Sequence, residues 1–275
     1  ITAAAGGTFS VPTGLAIDSL TGVIDVSAST AGNYDILYTP PVFGPLGQDI
    51  NGEAAQDFAG SSVALNAAGN RMIVGAYGND GAGGTAGHAR IYEWNGTNWN
   101  QLGADIDGEA AGDQSGWSVA MSGNGNRVIV GARFNDGNNS NSGQVRMYQW
   151  SGSAWVQMGA DIDGESSLDQ FGYAVSMNDA GDRIAVGAIN NDGNNSNSGH
   201  VRIYSWNGTS WGQVGADIDG EAGGDQSGYA VSLNAAGDKV VIGAASNDAG
   251  NFNNGHVRVY SYDGTSWSQQ GQDID

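Results

Sequence analysis

The chain repeats itself every 56 residues, and no other feature limits its fold as strongly. Leu46-Gly-Gln-Asp49, Leu102-Gly-Ala-Asp105, Met158-Gly-Ala-Asp161 and Val214-Gly-Ala-Asp217 hold the same place in successive copies, and a fifth copy starts at Gln270-Gly-Gln-Asp273. A fixed period of this length means one supersecondary unit built several times, each unit covering apolar surface that its neighbour leaves bare.

The second copy shows what the unit is. Trp117-Ser-Val-Ala-Met-Ser122 alternates apolar and small polar residues, as a half-buried strand does, and Asn124-Gly-Asn126 makes a turn. Arg127-Val-Ile-Val-Gly-Ala132 is a continuous apolar run, Gln144 to Trp150 is a third strand, and Ser151-Gly152 turns the chain into Ala154 to Met158. No segment has the 3.6-residue apolar period of a helix. Four antiparallel strands per repeat without helices predict an all-β fold, a β-propeller of four-stranded blades. The blades are 46–101, 102–157, 158–213 and 214–269, with a fifth begun at 270, and the first has strands near 61–65, 71–77, 88–94 and 98–104. Four such copies with an uncapped fifth lead to the expectation of an open arc from a larger propeller; the alternative is a small closed ring in which residues near Leu46 complete the last sheet.

Residues 1–45 do not match the repeat. Thr8-Phe-Ser-Val, Leu15-Ala-Ile-Asp, Val23-Ile-Asp-Val and Tyr34-Asp-Ile-Leu-Tyr read as short strands, and Pro40-Pro41 with Gly44-Pro45 as a linker. This segment resembles the C-terminal part of bacterial immunoglobulin-like or cadherin-like modules, although a whole sandwich needs about 100 residues.

Composition narrows the partners. The 275 residues include 47 Gly but also eight Trp and ten Tyr, so the chain turns often and still has material for a core. Nine Lys and Arg against 29 Asp and Glu give a net charge of -20, which repels nucleic acid and anionic lipid and favours cations. With no Cys, disulfides and thiolate chemistry are excluded. No apolar run approaches the roughly 20 residues that cross a bilayer. No signal-peptide pattern follows Ile1, as expected of a mature segment of a longer polypeptide.

The stretch Asp169-Gln-Phe171-Gly172-Tyr-Ala-Val-Ser, followed by Ile184-Ala-Val-Gly187-Ala188, resembles the FG-GAP repeat, the blade of the integrin α-subunit propeller and of many bacterial surface proteins. The likeness covers 46–275. Only the third copy has Phe-Gly; the others read Phe58-Ala-Gly60, Ser115-Gly116 and Ser227-Gly228. Gly-Ala recurs at Gly75-Ala76, Gly131-Ala132, Gly187-Ala188 and Gly243-Ala244, without the Pro of the family name. The resemblance implies a propeller fold and implies function only weakly, because fold does not fix function.

Acidic clusters are the leading candidate chemistry: Asp49-Ile-Asn51-Gly-Glu53 with Asp57, Asp105-Ile-Asp107-Gly-Glu109 with Asp113, Asp161-Ile-Asp163-Gly-Glu165 with Asp169, and Asp217-Ile-Asp219-Gly-Glu221 with Asp225. In extended chain, residues i, i+2 and i+4 point one way, so three oxygens could converge on Ca²⁺. The family's calcium loop, Asp-x-Asp-x-Asp-Gly between the first two strands, has no counterpart in Asn66 to Asn70 and its equivalents. The competing reading pairs the acids with Arg90, Arg146, Arg202 and Arg258 on the third strands. These, with Arg71, Arg127, Arg183 and Lys239 at the turns, make eight of the nine basic residues.

The loops Asn135 to Gly143 and Asn191 to Gly199 are rich in acceptors, able to hold a cation or a sugar, or simply to turn. His88, His200 and His256 share one repeat position, filled by Gln144 in the second copy, and read as structural. Trp99, Trp155, Trp211 and Trp267 read as packing between blades. Repetition without a break at any one blade leads to the expectation of a non-catalytic chain. The function expected is an extracellular or cell-surface adhesion or interaction scaffold of a large secreted bacterial protein, binding an extracellular protein or glycan surface; the alternative is a lectin-type propeller with equivalent sites between blades.

Overall fold

The computed structural model describes residues 8–11, 13–39, 45–248 and 254–274, and among these there is no helix. The chain divides into two units, Ile1–Gln48 and Asp49–Asp275. In the first, β1 (Thr8–Ser10) pairs with β4 (Leu37–Thr39) and β2 (Ala16–Ile17) with β3 (Ile24–Asp25), all antiparallel. Phe9, 3 % exposed, is its buried centre. Two two-stranded sheets are the strand pairing found among its described residues, which falls short of showing an immunoglobulin-like module. Most of the expected linker, 40–44, lies outside them.

The second unit contains four sheets, each a meander of consecutive antiparallel strands. They are β5 (Ser62–Leu65), β6 (Arg71–Ala76), β7 (His88–Trp94) and β8 (Trp99–Gln101), then β9 (Ile106–Asp107); β10 (Ser115–Met121), β11 (Arg127–Ala132), β12 (Gln144–Trp150) and β13 (Trp155–Gln157), then β14 (Ile162–Asp163). There follow β15 (Phe171–Met177), β16 (Arg183–Ala188), β17 (His200–Trp206) and β18 (Trp211–Gln213), then β19 (Ile218–Asp219); and last β20 (Ser227–Leu233), β21 (Lys239–Ala244), β22 (His256–Tyr262) and β23 (Trp267–Gln269). This is the blade of a β-propeller. The first strands of successive blades pack on one another, so the blades converge there.

The second strands read as unbroken Val/Ile runs because both their faces are covered: Val128, Ile129, Ile184, Ala185 and Val186 have no exposure at all. At the two ends one face is bare. Val63 and Leu65 are 63 % and 59 % exposed, while Val119 and Met121, one repeat on, are 6 % and 7 %.

The fourth strand is shorter than the sequence suggests. It leaves the sheet at Gly103 (φ 84°) and resumes as β9, which pairs with the start of β7. The next blade causes the break: the Trp155 indole N–H donates to the Leu102 carbonyl at 2.7 Å, and a Cβ on Gly103 would lie 2.8 Å from Trp150 and 2.9 Å from Trp155. Trp211 and Trp267 make the same bond to the Met158 and Val214 carbonyls, both at 2.9 Å. These tryptophans stitch blade to blade.

The two glycines behind the family resemblance meet across each seam. Gly116, Gly172 and Gly228 have φ of 82°, 87° and 92° and form a bulge in the first strand. Their carbonyl oxygens sit where a Cβ on Gly75, Gly131 or Gly187 of the preceding blade would be, 2.1, 2.4 and 2.1 Å away. A side chain at either position would push the blades apart.

Candidate functional site

The acidic motif does not fold into one cluster; its members part between two blades. Asp57, Asp113, Asp169 and Asp225 are buried loop pins: each accepts the backbone N–H of Ala54, Ala110, Ser166 or Ala222 at 2.8–3.0 Å. Each also accepts the side-chain amide of Asn79, Asn135, Asn191 or Asn247, at 2.9–3.3 Å. Asp107, Asp163 and Asp219 lie opposite the first residue of the third strand. Burial pushes the carboxyls of Asp163 and Asp219 up from the ordinary range. Asp49 is exposed at the start of the first blade. The i, i+2, i+4 carboxylates of one motif therefore do not gather around a common point.

The acids that do gather come from different motifs. Glu53 of one copy and Asp105 of the next, 52 residues on, close over His88, the first residue of β7. Glu165, His200 and Asp217 repeat the arrangement in the third blade, and Glu221, His256 and Asp273 in the fourth; in each set the ligand-type atoms lie within 4.8 Å of one another. The second oxygen of each carboxylate is tied elsewhere. Asp105 Oδ1 accepts from Gln101 and Asp273 Oδ1 from Gln269, while Glu53 Oε1 faces Arg90 at 3.5 Å and Glu221 Oε1 faces Arg258 at 3.6 Å. The expected acid–arginine pairing is thus real, and it orients the glutamates.

The two middle blades fill the same place differently. In the second, the Gln144 amide donates to Glu109 Oε2 at 3.1 Å and to Asp163 Oδ1 at 3.2 Å. In the third, the Arg202 guanidinium grips Asp217 with two bonds, at 2.8 and 2.7 Å, and also reaches Glu165. Burial and the neighbouring Arg202 lower the His200 pKa to about 4, so its ring is neutral at pH 7. Burial raises the Asp217 pKa, but the Arg202 and Gln213 bonds outweigh it and hold the carboxyl below the ordinary range.

Calcium, expected at the Asp-x-Asp-Gly-Glu loops, does not fit these sites. Ca²⁺ takes six to eight oxygens, whereas each histidine cluster offers one nitrogen and two carboxylates, and the Asp-x-Asp-x-Asp-Gly loop is missing. The acceptor-rich loops serve the fold: Asn138 and Asn139 donate to the carbonyls of Gly164 and Glu165, both at 3.1 Å, and Asn141 and Asn197 turn with φ of 52°.

A second feature was hidden in the sequence. Where the first strands converge, Phe58, Tyr77, Trp117, Tyr173 and Tyr229 form a continuous ladder with successive ring centroids 4.9–5.7 Å apart. Phe58 and Tyr229 are 55 % and 45 % exposed. Burial and the contact with Tyr229 push the Tyr173 phenol up to about 12. Arg133, the one basic residue outside the repeat pattern, lies 3.2 Å from the Trp117 ring centroid, and its Nε donates to Gln114 at 2.9 Å. Residues 117, 173 and 229 share one repeat position, which is the signal that could have revealed the ladder.

Clefts also recur between blades. One of about 220 Å³ is lined by Asp105, Asp107, Tyr148 and Trp155, and one of about 290 Å³ by Asp217, Asp219, Tyr260 and Trp267, the same repeat positions.

Residues 105–148 and 161–204 match the FG-GAP repeat family. No curated protein is similar to the chain in sequence. Among solved structures, a "putative 6-phosphogluconolactonase" from Bacteroides uniformis matches with a TM-score of 0.54 at 10 % identity, over 94 % of this chain and 77 % of that one. The periplasmic gluconolactonase PpgL of Pseudomonas aeruginosa matches with a TM-score of 0.55 at 14 % identity, over 88 % of this chain and 64 % of that one, so the chain spans less than two thirds of that protein. At such identities the likeness is one of fold. It nevertheless overturns the expectation of a non-catalytic chain. Propellers bearing lactonase names share this fold, so repetition of the blade does not exclude an enzyme. The FG-GAP repeat matches thus fall on the second and third blades of a β-propeller fold.

Proposed function

We propose that the chain is an interaction module of a secreted or cell-surface bacterial protein, engaging an extracellular protein or glycan surface through the aromatic ladder. The observation that carries this is the ladder itself, a half-exposed row of five rings where the blades converge, with Arg133 set into it. Aromatic rings with an arginine are the groups that dominate contact energy in binding surfaces. The charge of -20 keeps nucleic acid and anionic lipid away and leaves protein and sugar surfaces as partners. Calcium has no part in this reading. The test is capture of the chain on arrays of matrix proteins and glycans, wild type against Trp117→Ala/Tyr173→Ala. Lost capture with an unchanged circular-dichroism spectrum supports the proposal; capture unaffected by the double substitution refutes it.

The equivalent clefts between blades favour a second reading, glycan binding at the seams, because each joins a Trp, a Tyr and two carboxylates at identical repeat positions. In that case capture on the glycan array survives the ladder substitutions and falls with Trp155→Ala and Trp267→Ala.

A further inference from the structure

We propose that Glu53, His88 and Asp105 in the first blade, and Glu221, His256 and Asp273 in the fourth, are the protein ligands of two sites for a divalent metal ion of the zinc class.

The histidines carry the argument. The side chains of His88 and His256 are 1 % and 0 % exposed, and neither nitrogen of either ring has a hydrogen-bond partner. A buried polar group left without a partner costs on the order of 1–3 kcal/mol, so such a ring calls for a ligand. His88 Nδ1 faces Asp105 Oδ2 at 3.5 Å and Glu53 Oε2 at 4.0 Å; His256 Nδ1 faces Asp273 Oδ2 at 3.8 Å and Glu221 Oε2 at 3.9 Å. These separations exceed the roughly 2.7–3.2 Å of an N–H···O bond. They are close to the edge, about 3.4 Å, of a tetrahedron whose centre holds an ion roughly 2.0–2.2 Å from each ligand.

The carboxylates are already aimed. Each glutamate turns one oxygen to its arginine and the other to the histidine, and each aspartate gives one oxygen to a glutamine and the other to the histidine. Outer partners of this kind fix the orientation of metal ligands. Imidazole with two carboxylates selects zinc and its neighbours over calcium or magnesium, and three protein ligands leave a fourth position open. Glu53 and Glu221, 52 % and 45 % exposed, form the solvent side through which an ion enters.

The middle blades act as internal controls. In the second blade Gln144 brings no imidazole and gives its amide to Glu109 and Asp163, while Asp161, the counterpart of Asp105, accepts from Gln157; in the third Arg202 supplies a positive charge where the ion would sit, so neither is assigned a metal.

The experiment is metal content and calorimetric titration of the chain with zinc chloride, then with calcium chloride, alongside His88→Gln, His256→Gln and the double variant. Glutamine is the natural residue at this position in the second blade, so these variants keep a side chain that the blade accommodates, and circular dichroism verifies it. Two zinc equivalents in the wild type, one in each single variant, none in the double and no calcium uptake are expected. Cobalt(II) should give the visible bands of a four-coordinate ion, absent from the double variant. No zinc uptake, or uptake unchanged in the double variant, overturns the proposal, the latter because the ion would then lie on surface carboxylates.

Discussion

Gly187 and Gly243 occupy the same position in successive repeats and face opposite situations. A Cβ on Gly187 would come 2.1 Å from the Gly228 carbonyl oxygen of the next blade; on Gly243 the nearest atom is the Ala230 Cβ at 3.6 Å. The sequence Ile/Val-Gly-Ala is shared, yet only the glycine inside a seam is sterically required. The repeat motif is a relation between two blades rather than a property of one. Its first glycine arches the backbone and its second makes room for the arch of the neighbour.

The sharpest way to break this comparison is the pair Gly187→Ala and Gly243→Ala. The first sets a methyl against backbone that cannot move without opening the seam, and is expected to cost more than about 4 kcal/mol or to abolish folding. The second is expected within about 0.5–1 kcal/mol of wild type by urea denaturation. Equal effects would show that the glycines serve their own strands.

The next effect in size comes from acid. His200, whose carbonyl lies under Gly228 of the following blade, has a folded pKa of about 4 against 6.5 unperturbed. A lowered folded pKa gives stability that is fully present above pH 6.5 and is lost as pH falls towards 4, because the unfolded ring takes up a proton that the folded one refuses. The loss should approach about 3 kcal/mol at pH 4, from roughly 1.4 kcal/mol per pKa unit. Denaturation midpoints between pH 7 and 4 should flatten in His200→Gln; an unchanged slope in that variant would assign the acid sensitivity to other groups.

Leu65 and Met121 repeat the contrast in the core. Met121→Ala removes a side chain 7 % exposed and should cost about 2–3 kcal/mol, whereas Leu65→Ala, 59 % exposed, should cost less than about 0.5 kcal/mol. Below Met121→Ala in size comes Ser118→Ala, expected to cost about 1 kcal/mol through loss of the buried hydroxyl bond to the Gly172 carbonyl at 2.7 Å. A double-mutant cycle of Ser118→Ala with Met121→Ala would show whether seam bond and seam packing act independently.

Much of the fold is legible in the order of residues because the signals are local. Alternation in Trp117 to Ser122, the apolar run Arg127 to Ala132 and the turn at Asn124-Gly-Asn126 depend on neighbours a few positions away, and the strands fall where these signals place them. The fourth strand departs from that reading because Trp155, more than 50 residues on, takes the Leu102 carbonyl and displaces the chain at Gly103. The acidic motif departs from its local pattern for the same reason. Asp105, Asp107 and Glu109 look like one ligand set along an extended strand, but the motif sits on the boundary between two blades. The backbone carries Asp105 to the His88 of the blade behind and Glu109 to the Gln144 and Arg146 of the blade ahead.

The sequence by itself therefore determined the unit: its period, its four strands, its lack of helix and the identity of its turns, since each rests on side-chain periodicity and on backbone preferences that act within a few residues. Only the tertiary structure decided what the units do to one another. It brings Glu53 and Asp105 together over a buried His88, lines up Trp117, Tyr173 and Tyr229 into one surface, and makes Gly187 indispensable while leaving Gly243 free. The physical reason is that contacts across a seam join residues about one repeat apart, and their distance is set by how closely two sheets can approach, which no local pattern encodes.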